Sequence, residues 1–228
     1  MIGTWCTIPS PEVISIICKA GLDFVIIDME HGSMDYTLAQ RMVTSAQAEG
    51  KKAIVRTPRN DESNILRSLD IGSDGVIVPH VKSVEDVDRC VSYSKYPPIG
   101  NRGYTPYTKS GGYSITNGYR EKENEKSFVG IILEDRDGLD NIENIIDNDY
   151  IDMVYIGTYD IASSLGCLPT DDKVLKETTC FNKIPNHPAF DMFIKQRKLE
   201  EHTDKLYVVW NFYQWVNKLI PNKFPNIK

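Results

Sequence analysis

The sequence predicts an α/β fold of parallel strands joined by crossover helices: a (β/α)8 TIM barrel, incomplete after its sixth strand. Three observations carry that expectation. Short β-branched runs alternate with longer amphipathic stretches through the first two thirds of the chain. Cap residues open several of the amphipathic stretches and glycines close them. One run, Phe24-Val25-Ile26-Ile27-Asp28, is apolar almost throughout, as a strand covered on both faces must be.

Taken in order, Ile2 to Cys6 forms a first strand, and Ser10-Pro11-Glu12 opens a helix with a cap residue followed by proline at the first helical position. Gly21 ends that helix, and Phe24 to Asp28 is strand two. Tyr36 to Ala48 is helical, Gly50 closes it, and Ala53 to Arg56 is strand three. A helix through Ile65 to Leu69, then Gly72, a strand from Gly75 to Pro79 and a helix from Ser83 to Tyr93 complete the fourth β/α unit. Between Tyr96 and Lys126 lies a stretch rich in Gly, Tyr, Ser and Asn, which reads as one long loop of the kind that serves as a lid or mobile segment. Val129 to Leu133 is strand five, Leu139 to Ile146 a helix and Met153 to Ile156 strand six, from whose end Gly157 to Gly166 turns away.

Beyond Gly166 the character changes. All 15 glycines precede Cys167, whereas a further β/α unit normally closes its helix with one. Asn182 to Pro188 is loop-like, Phe190 to Glu201 suits a helix and Lys205 to Lys218 is unusually aromatic, but none of these fixes strands seven and eight.

At 228 residues the chain suits one large core and is slightly short of the roughly 250 residues of a complete barrel. Its 41% hydrophobic and 25% charged content is that of an ordinary soluble domain. No apolar run nears the roughly 20 residues of a membrane span, and no secretory leader opens the chain, so a cytoplasmic protein without a membrane partner is expected. The formal charge of −6 argues against nucleic acid, which needs clustered Lys and Arg on one face. Cys6, Cys18, Cys90, Cys167 and Cys180 show no C-x-x-C spacing and read as reduced thiols that mostly pack. Cys18 and Cys90 fall in apolar helical patterns, which fits burial.

In parallel β/α folds the active site lies at the C-terminal ends of the strands. Those ends deliver Trp5; Asp28, Glu30 and His31; Arg56; Glu134 and Asp135; and, through Gly157, Asp160. Glu134 and Asp160 offer hard oxygen ligands for Mg²⁺ or Mn²⁺; their plain alternative is salt bridging at a loop. His31 can act as acid or base near neutrality, or serve as a hydrogen-bonded structural histidine. Arg56 suits a substrate carboxylate, with pairing to Asp28 as the structural alternative. Trp5 walls the site or simply packs, and Arg102 grips a substrate acid or a neighbouring subunit. No lysine stands at a strand end, which disfavours Schiff-base chemistry.

The segments Gly3-Thr4-Trp5, Ala20 to Gly32 with its Asp28-Met29-Glu30-His31-Gly32 ending, Val55-Arg56, Leu69-Asp70-Ile71-Gly72, Tyr96 to Gly103, Leu133-Glu134, Ile156 to Asp160 and Ser164-Leu165-Gly166 follow one another in a specific order. In this the chain resembles the HpcH/HpaI family of metal-dependent pyruvate aldolases, which act on 4-hydroxy-2-oxo acids and 2-dehydro-3-deoxy sugar acids. The resemblance implies a barrel of the phosphoenolpyruvate/pyruvate type. Glu134 and Asp160 would hold a divalent ion (Mg²⁺, Mn²⁺ or Co²⁺) chelated by pyruvate, with Arg56 at the enolate oxygen, Trp5 and Gly157 lining the substrate site, His31 paired with Asp70 to move protons, and Asp28 shaping the site. Pyruvate plus an aldehyde, or a 2-oxo sugar acid, would be the substrate, and family members commonly form homo-oligomers.

The chain departs from the family pattern at Ile132, at Thr158, at the strand-four end Pro79-His80-Val81 and throughout the tail, which loses the pattern after about Lys176. Barrel units one to six are therefore expected over 1–170 and an atypical tail over 171–228. A frameshifted or truncated gene, or a replaced terminus, would produce this; the abrupt compositional change favours a frameshift. Two other functions fit less of the pattern: a catalytically inactive relative that binds or oligomerises, and a lyase acting on a CoA thioester.

Overall fold

Strand β2 (Phe24–Asp28) is buried at every position, and the alternation of its side chains explains the architecture. Val25 and Ile27 pack with Ile14 and Cys18 of α1 (Pro11–Lys19) and with Ala39, Met42, Val43 and Ala46 of α2 (Tyr36–Ala48). Phe24 and Ile26 join a different cluster made entirely from strands, because successive side chains leave opposite faces of a sheet. The computed structural model describes residues 3–166 and a strand at Leu206–Val209.

The sheet runs β1 (Gly3–Cys6), β2, β3 (Lys52–Arg56), β4 (Gly75–Val78), β5 (Phe128–Leu133), β6 (Met153–Ile156) and β7 (Leu206–Val209), in sequence order and parallel at every pairing. Between them lie α3 (Glu62–Asp70), α4 (Val84–Ser94), α5 (Tyr119–Lys126), α6 (Arg136–Asp140), α7 (Ile142–Ile145) and α8 (Thr158–Ser164). Sequential parallel order is the connectivity of a β/α barrel. In a flat sheet β1 and β6 would stand roughly 24 Å apart at strand spacing. Instead the rings of Trp5 and Tyr155 lie 5.2 Å apart, centroid to centroid, so the sheet curls and brings the inner side chains of β1 and β6 together. That inner face holds Trp5, Ile26, Ile54, Ile77, Ile132 and Tyr155 from six successive strands.

Local chemistry places the helices. Ser10 Oγ accepts from Val13 N at 3.2 Å, Asp35 Oδ1 from Leu38 N at 2.8 Å and Asp61 Oδ1 from Asn64 N at 2.9 Å, each satisfying a donor that the first turn leaves open. Ser83 and Asp86 form a reciprocal capping box ahead of α4.

Four expectations change. The stretch from Tyr96 to Lys126 is no structureless lid: it contains α5, and Tyr96, Tyr104 and Tyr119 pack their rings within 6.0 Å of one another. The helix over 139–146 is two short helices, α6 and α7, divided at Asn141, whose Nδ2 donates to Lys82 O at 3.1 Å. The residues after Gly157 form α8 rather than a turn. In the tail, Leu206–Val209 supplies a seventh strand in register with Met153–Ile156. The loop expected at Asn182 to Pro188, the helix at Phe190 to Glu201, an eighth strand, and Cys167 and Cys180 lie outside the described residues. Cys6, Cys18 and Cys90 are free and buried. Among the described residues no helix is long and apolar enough to cross a membrane.

Candidate active site

The alternation that points Ile26, Ile54, Ile132 and Tyr155 inward carries on past them. Asp28 stands two residues beyond Ile26, Arg56 two beyond Ile54, Glu134 two beyond Ile132 and Gly157 two beyond Tyr155. Where the apolar core ends, the same inward positions turn polar and line a cavity of about 390 Å³ with Trp5, His31, Ile132, Tyr155, Thr158, Tyr159 and Asp160. Of the expected site residues, Trp5, Asp28, His31, Arg56, Glu134, Gly157 and Asp160 therefore meet at one mouth.

Asp28 organises one wall. Its Oδ1 accepts from the backbone N–H of Glu30 at 3.1 Å and of His31 at 3.2 Å, which folds the chain back over the strand end. The turn admits only glycine at position 32, because a Cβ there would stand 2.2 Å from the Asp28 carbonyl oxygen. His31 is thereby presented, exposed, at the cavity rim.

The structural reading of Arg56, pairing with Asp28, is the one the geometry shows. Its Nε donates to Asp28 Oδ1 at 2.8 Å and its Nη2 to Asp28 Oδ2, forming a two-pronged pair, while Nη1 lies 2.9 Å from Glu30 Oε2. The guanidinium lies 4.7 Å from the centre of the Trp5 ring, so Trp5 both packs and walls the site. Burial works against the charge on Arg56, but the hydrogen bonds and charge of Asp28, then Glu30 and Glu134, outweigh it and raise its pKa.

Glu134 is 4% exposed. Its Oε1 accepts from the His80 backbone N–H at 2.6 Å and lies 2.9 Å from His80 Nδ1, and His80 Nε2 lies 2.9 Å from Glu30 Oε1. Burial raises the pKa of Glu134; His80 offsets part of this, and the negative neighbours Glu30 and Asp160 add to it. Gly157 must lack a side chain, since a Cβ would stand 2.7 Å from Glu134 Cβ. Asp160, in the first turn of α8, faces the same cavity. A buried carboxylate strained by two further negative charges, with hard oxygen donors, fits a divalent cation. Among the described residues no three His, Cys, Asp or Glu side chains converge as a ready-made metal cage.

Sequence reasoning placed several residues elsewhere. Asp70 does not reach His31: its Oδ1 accepts from Arg102 Nη2 at 2.8 Å, and it borders a separate groove with Tyr36, Arg67 and Lys109. Arg102 is neither a substrate grip nor a surface contact, because its side chain is fully buried over Tyr96. Asp135 caps α6 through Gly138 N at 2.9 Å and pairs with Lys82. Tyr155 and His80 were missed. Inward alternation on β6 could have found Tyr155; His80, at a positive φ of 58°, carries no sequence signal beyond its place at the end of β4.

Comparison with known proteins supports the same picture. The model of the HpcH/HpaI aldolase/citrate lyase family matches residues 1–195. The chain is 30% identical over 167 residues to the 5-keto-4-deoxy-D-glucarate aldolase of Klebsiella pneumoniae, covering 73% of this chain and 65% of the relative. It is 31% identical over 165 residues to the 2-dehydro-3,6-dideoxy-6-sulfogluconate aldolase of Pseudomonas putida, covering 72% and 65%. The match thus spans just under two thirds of the length of each of these relatives. Among solved structures, citrate synthase SbnG superposes with a TM-score of 0.74 at 27% identity, covering 96% of this chain and 89% of that one. The citrate lyase beta subunit of M. tuberculosis, solved with oxaloacetate and magnesium, shares the fold at a TM-score of 0.55 and 14% identity, covering 91% and 77%. By the family match over most of its length, joined to these site residues, the chain belongs to the HpcH/HpaI aldolase/citrate lyase family.

Proposed function

We propose that the chain is a divalent-metal-dependent aldolase that cleaves or forms 4-hydroxy-2-oxo acids through a pyruvate enolate. One observation carries the reading: Asp28, Arg56, Glu134 and Gly157 continue the inward register of four strands and meet His31 and Asp160 around one cavity. Two relatives named as aldolases, and a citrate lyase beta subunit solved with magnesium, support it. The complete barrel, with an eighth strand, belongs to the same proposal.

Glu134 and Asp160 would hold Mg²⁺, Mn²⁺ or Co²⁺. The bound ion supplies a Lewis acid for the negative charge that develops on the keto oxygen. Asp28 takes two of the five N–H groups of Arg56, which fixes the guanidinium and leaves donors for a substrate oxygen. Trp5 and Tyr155 shield that contact from water, which strengthens it. His31, at the rim, takes the proton from the hydroxyl of the scissile bond and returns one in the reverse direction. Since Asp70 is engaged by Arg102 and borders another groove, a His31–Asp70 pair requires Asp70 from a second copy of the chain, and homo-oligomerisation belongs to the proposal.

The test is pyruvate release from a panel of 4-hydroxy-2-oxo acids, with and without chelator, in the wild type and Glu134→Ala. Chelator-sensitive release that Glu134→Ala abolishes is expected. Release that survives both treatments, or none from any substrate, overturns the reading.

A further inference from the structure

A continuous chain of polar contacts joins the two halves of the site. It runs from Asp28 Oδ1 to Arg56 Nε at 2.8 Å, from Arg56 Nη1 to Glu30 Oε2 at 2.9 Å, from Glu30 Oε1 to His80 Nε2 at 2.9 Å and from His80 Nδ1 to Glu134 Oε1 at 2.9 Å. Its members come from the ends of β2, β3, β4 and β5 or the turns beyond them, Asp28 and Glu30 both from β2. His80 is the only member held in the left-handed region, at φ 58°, a conformation that costs a non-glycine residue energy unless its surroundings impose it. That backbone turn aims both its N–H and its ring at the same oxygen of Glu134. The other oxygen, Oε2, lies beside Gly157, 3.4 Å from where a Cβ would stand, toward the cavity that Asp160 also lines.

We infer that His80 is a positioning residue for the metal ligand Glu134. It occupies Oε1 and so presents Oε2 alone toward the ion, while its second ring nitrogen ties the orientation of that carboxylate to Glu30 and hence to Arg56. The inference rests on the metal site proposed above. Its physical basis is that a carboxylate with one oxygen accepting the His80 N–H and lying 2.9 Å from the His80 ring nitrogen is hindered from rotating to offer both oxygens, so the ligand is prearranged before the ion arrives. Partners of this kind beyond the direct ligands commonly change metal affinity 10- to 100-fold when removed.

The experiment measures Mn²⁺ affinity by the loss of the free-ion electron paramagnetic resonance signal, with no substrate present, in the wild type, Glu134→Ala, His80→Asn, His80→Gln and His80→Ala. An asparagine amide nitrogen stands where Nδ1 stands and asparagine tolerates a positive φ, whereas a glutamine amide nitrogen stands where Nε2 stands. His80→Asn is therefore expected to hold Mn²⁺ within about 3-fold of wild type, and His80→Gln and His80→Ala to bind about 10-fold or more weakly. Melting temperatures report whether each variant folds, and comparison of the Asn and Gln variants keeps the test valid if His80→Ala does not. Affinity unchanged in the Gln variant, or equally weakened in the Asn and Gln variants, overturns the role of His80. Affinity unchanged in Glu134→Ala overturns the metal site itself, which is a separate failure.

Discussion

Arg102 Nη2 lies 2.8 Å from Asp70 Oδ1, with the whole Arg102 side chain buried and its guanidinium 4.7 Å from the centre of the Tyr96 ring. Asp70 is thus the counter-ion of a buried cation whose Nε and Nη1 have no hydrogen-bond partner among the described residues. Breaking a buried pair leaves an uncompensated charge and costs about 3–5 kcal/mol. Asp70→Ala should lower the free energy of unfolding in urea by about that amount. A loss below about 1 kcal/mol, the scale of an exposed pair, would show that the pair does not secure this face.

The same relationship bears on catalysis. If a second copy supplies Asp70 to His31, then His31→Ala and Asp70→Ala should each be inactive alone but regain activity when dissociated, mixed and reassembled. The measurement is pyruvate release from the mixture. Mixed subunits as inactive as the separate variants would exclude an intersubunit pair.

Arg56→Lys removes the planar fork that Asp28 grips at two points and keeps only a point charge. By the scale of losing one aligned donor to a developing oxyanion, kcat/KM should fall about 100-fold or more. Steady-state kinetics check this, and a change within about 3-fold would remove Arg56 from the chemistry.

Gly157→Ala places a Cβ 2.7 Å from Glu134 Cβ, inside contact distance, so the proposed metal ligand must move. Weaker Mn²⁺ binding with a far smaller change in melting temperature is expected. Wild-type affinity would mean that the carboxylate can shift without cost to the site.

Cys90 is wholly buried in α4, and burial pushes its thiol up to about 12. Peptide-resolved labelling with iodoacetamide at pH 8 should leave it unmodified until the chain unfolds. An unfolded thiol ionises near 9, so the contribution to stability is complete below that pH and erodes as pH rises from about 9 to about 12. Rapid labelling of Cys90 in the folded chain at pH 8 would contradict its burial.

Much of the fold and the strand-end residues that line the candidate site were legible because their causes are local. β2, α2 and β6 emerge at the expected residues, since runs such as Phe24 to Asp28 and caps such as Asp35 act over a few positions. α5 was not legible: Tyr-Arg-Glu-Lys-Glu-Asn-Glu-Lys buries no residue and has no apolar stripe. It is held instead by Asn124, whose side chain exchanges hydrogen bonds with the Tyr96 backbone at 2.7 and 3.0 Å.

By itself the sequence determined the first six strands, most of the helices between them, and which acidic, basic and imidazole groups stand at strand ends, because apolar periodicity and capping are written in neighbouring residues. Only the tertiary structure decided the partners. Curling the sheet brings Trp5 to Tyr155, the turn after β4 brings His80 to Glu134, and burial of Arg102 commits Asp70 away from the His31 of its own chain. Each of these contacts joins residues 32 or more positions apart, and charge satisfaction in a desolvated interior is settled by what the fold places within reach.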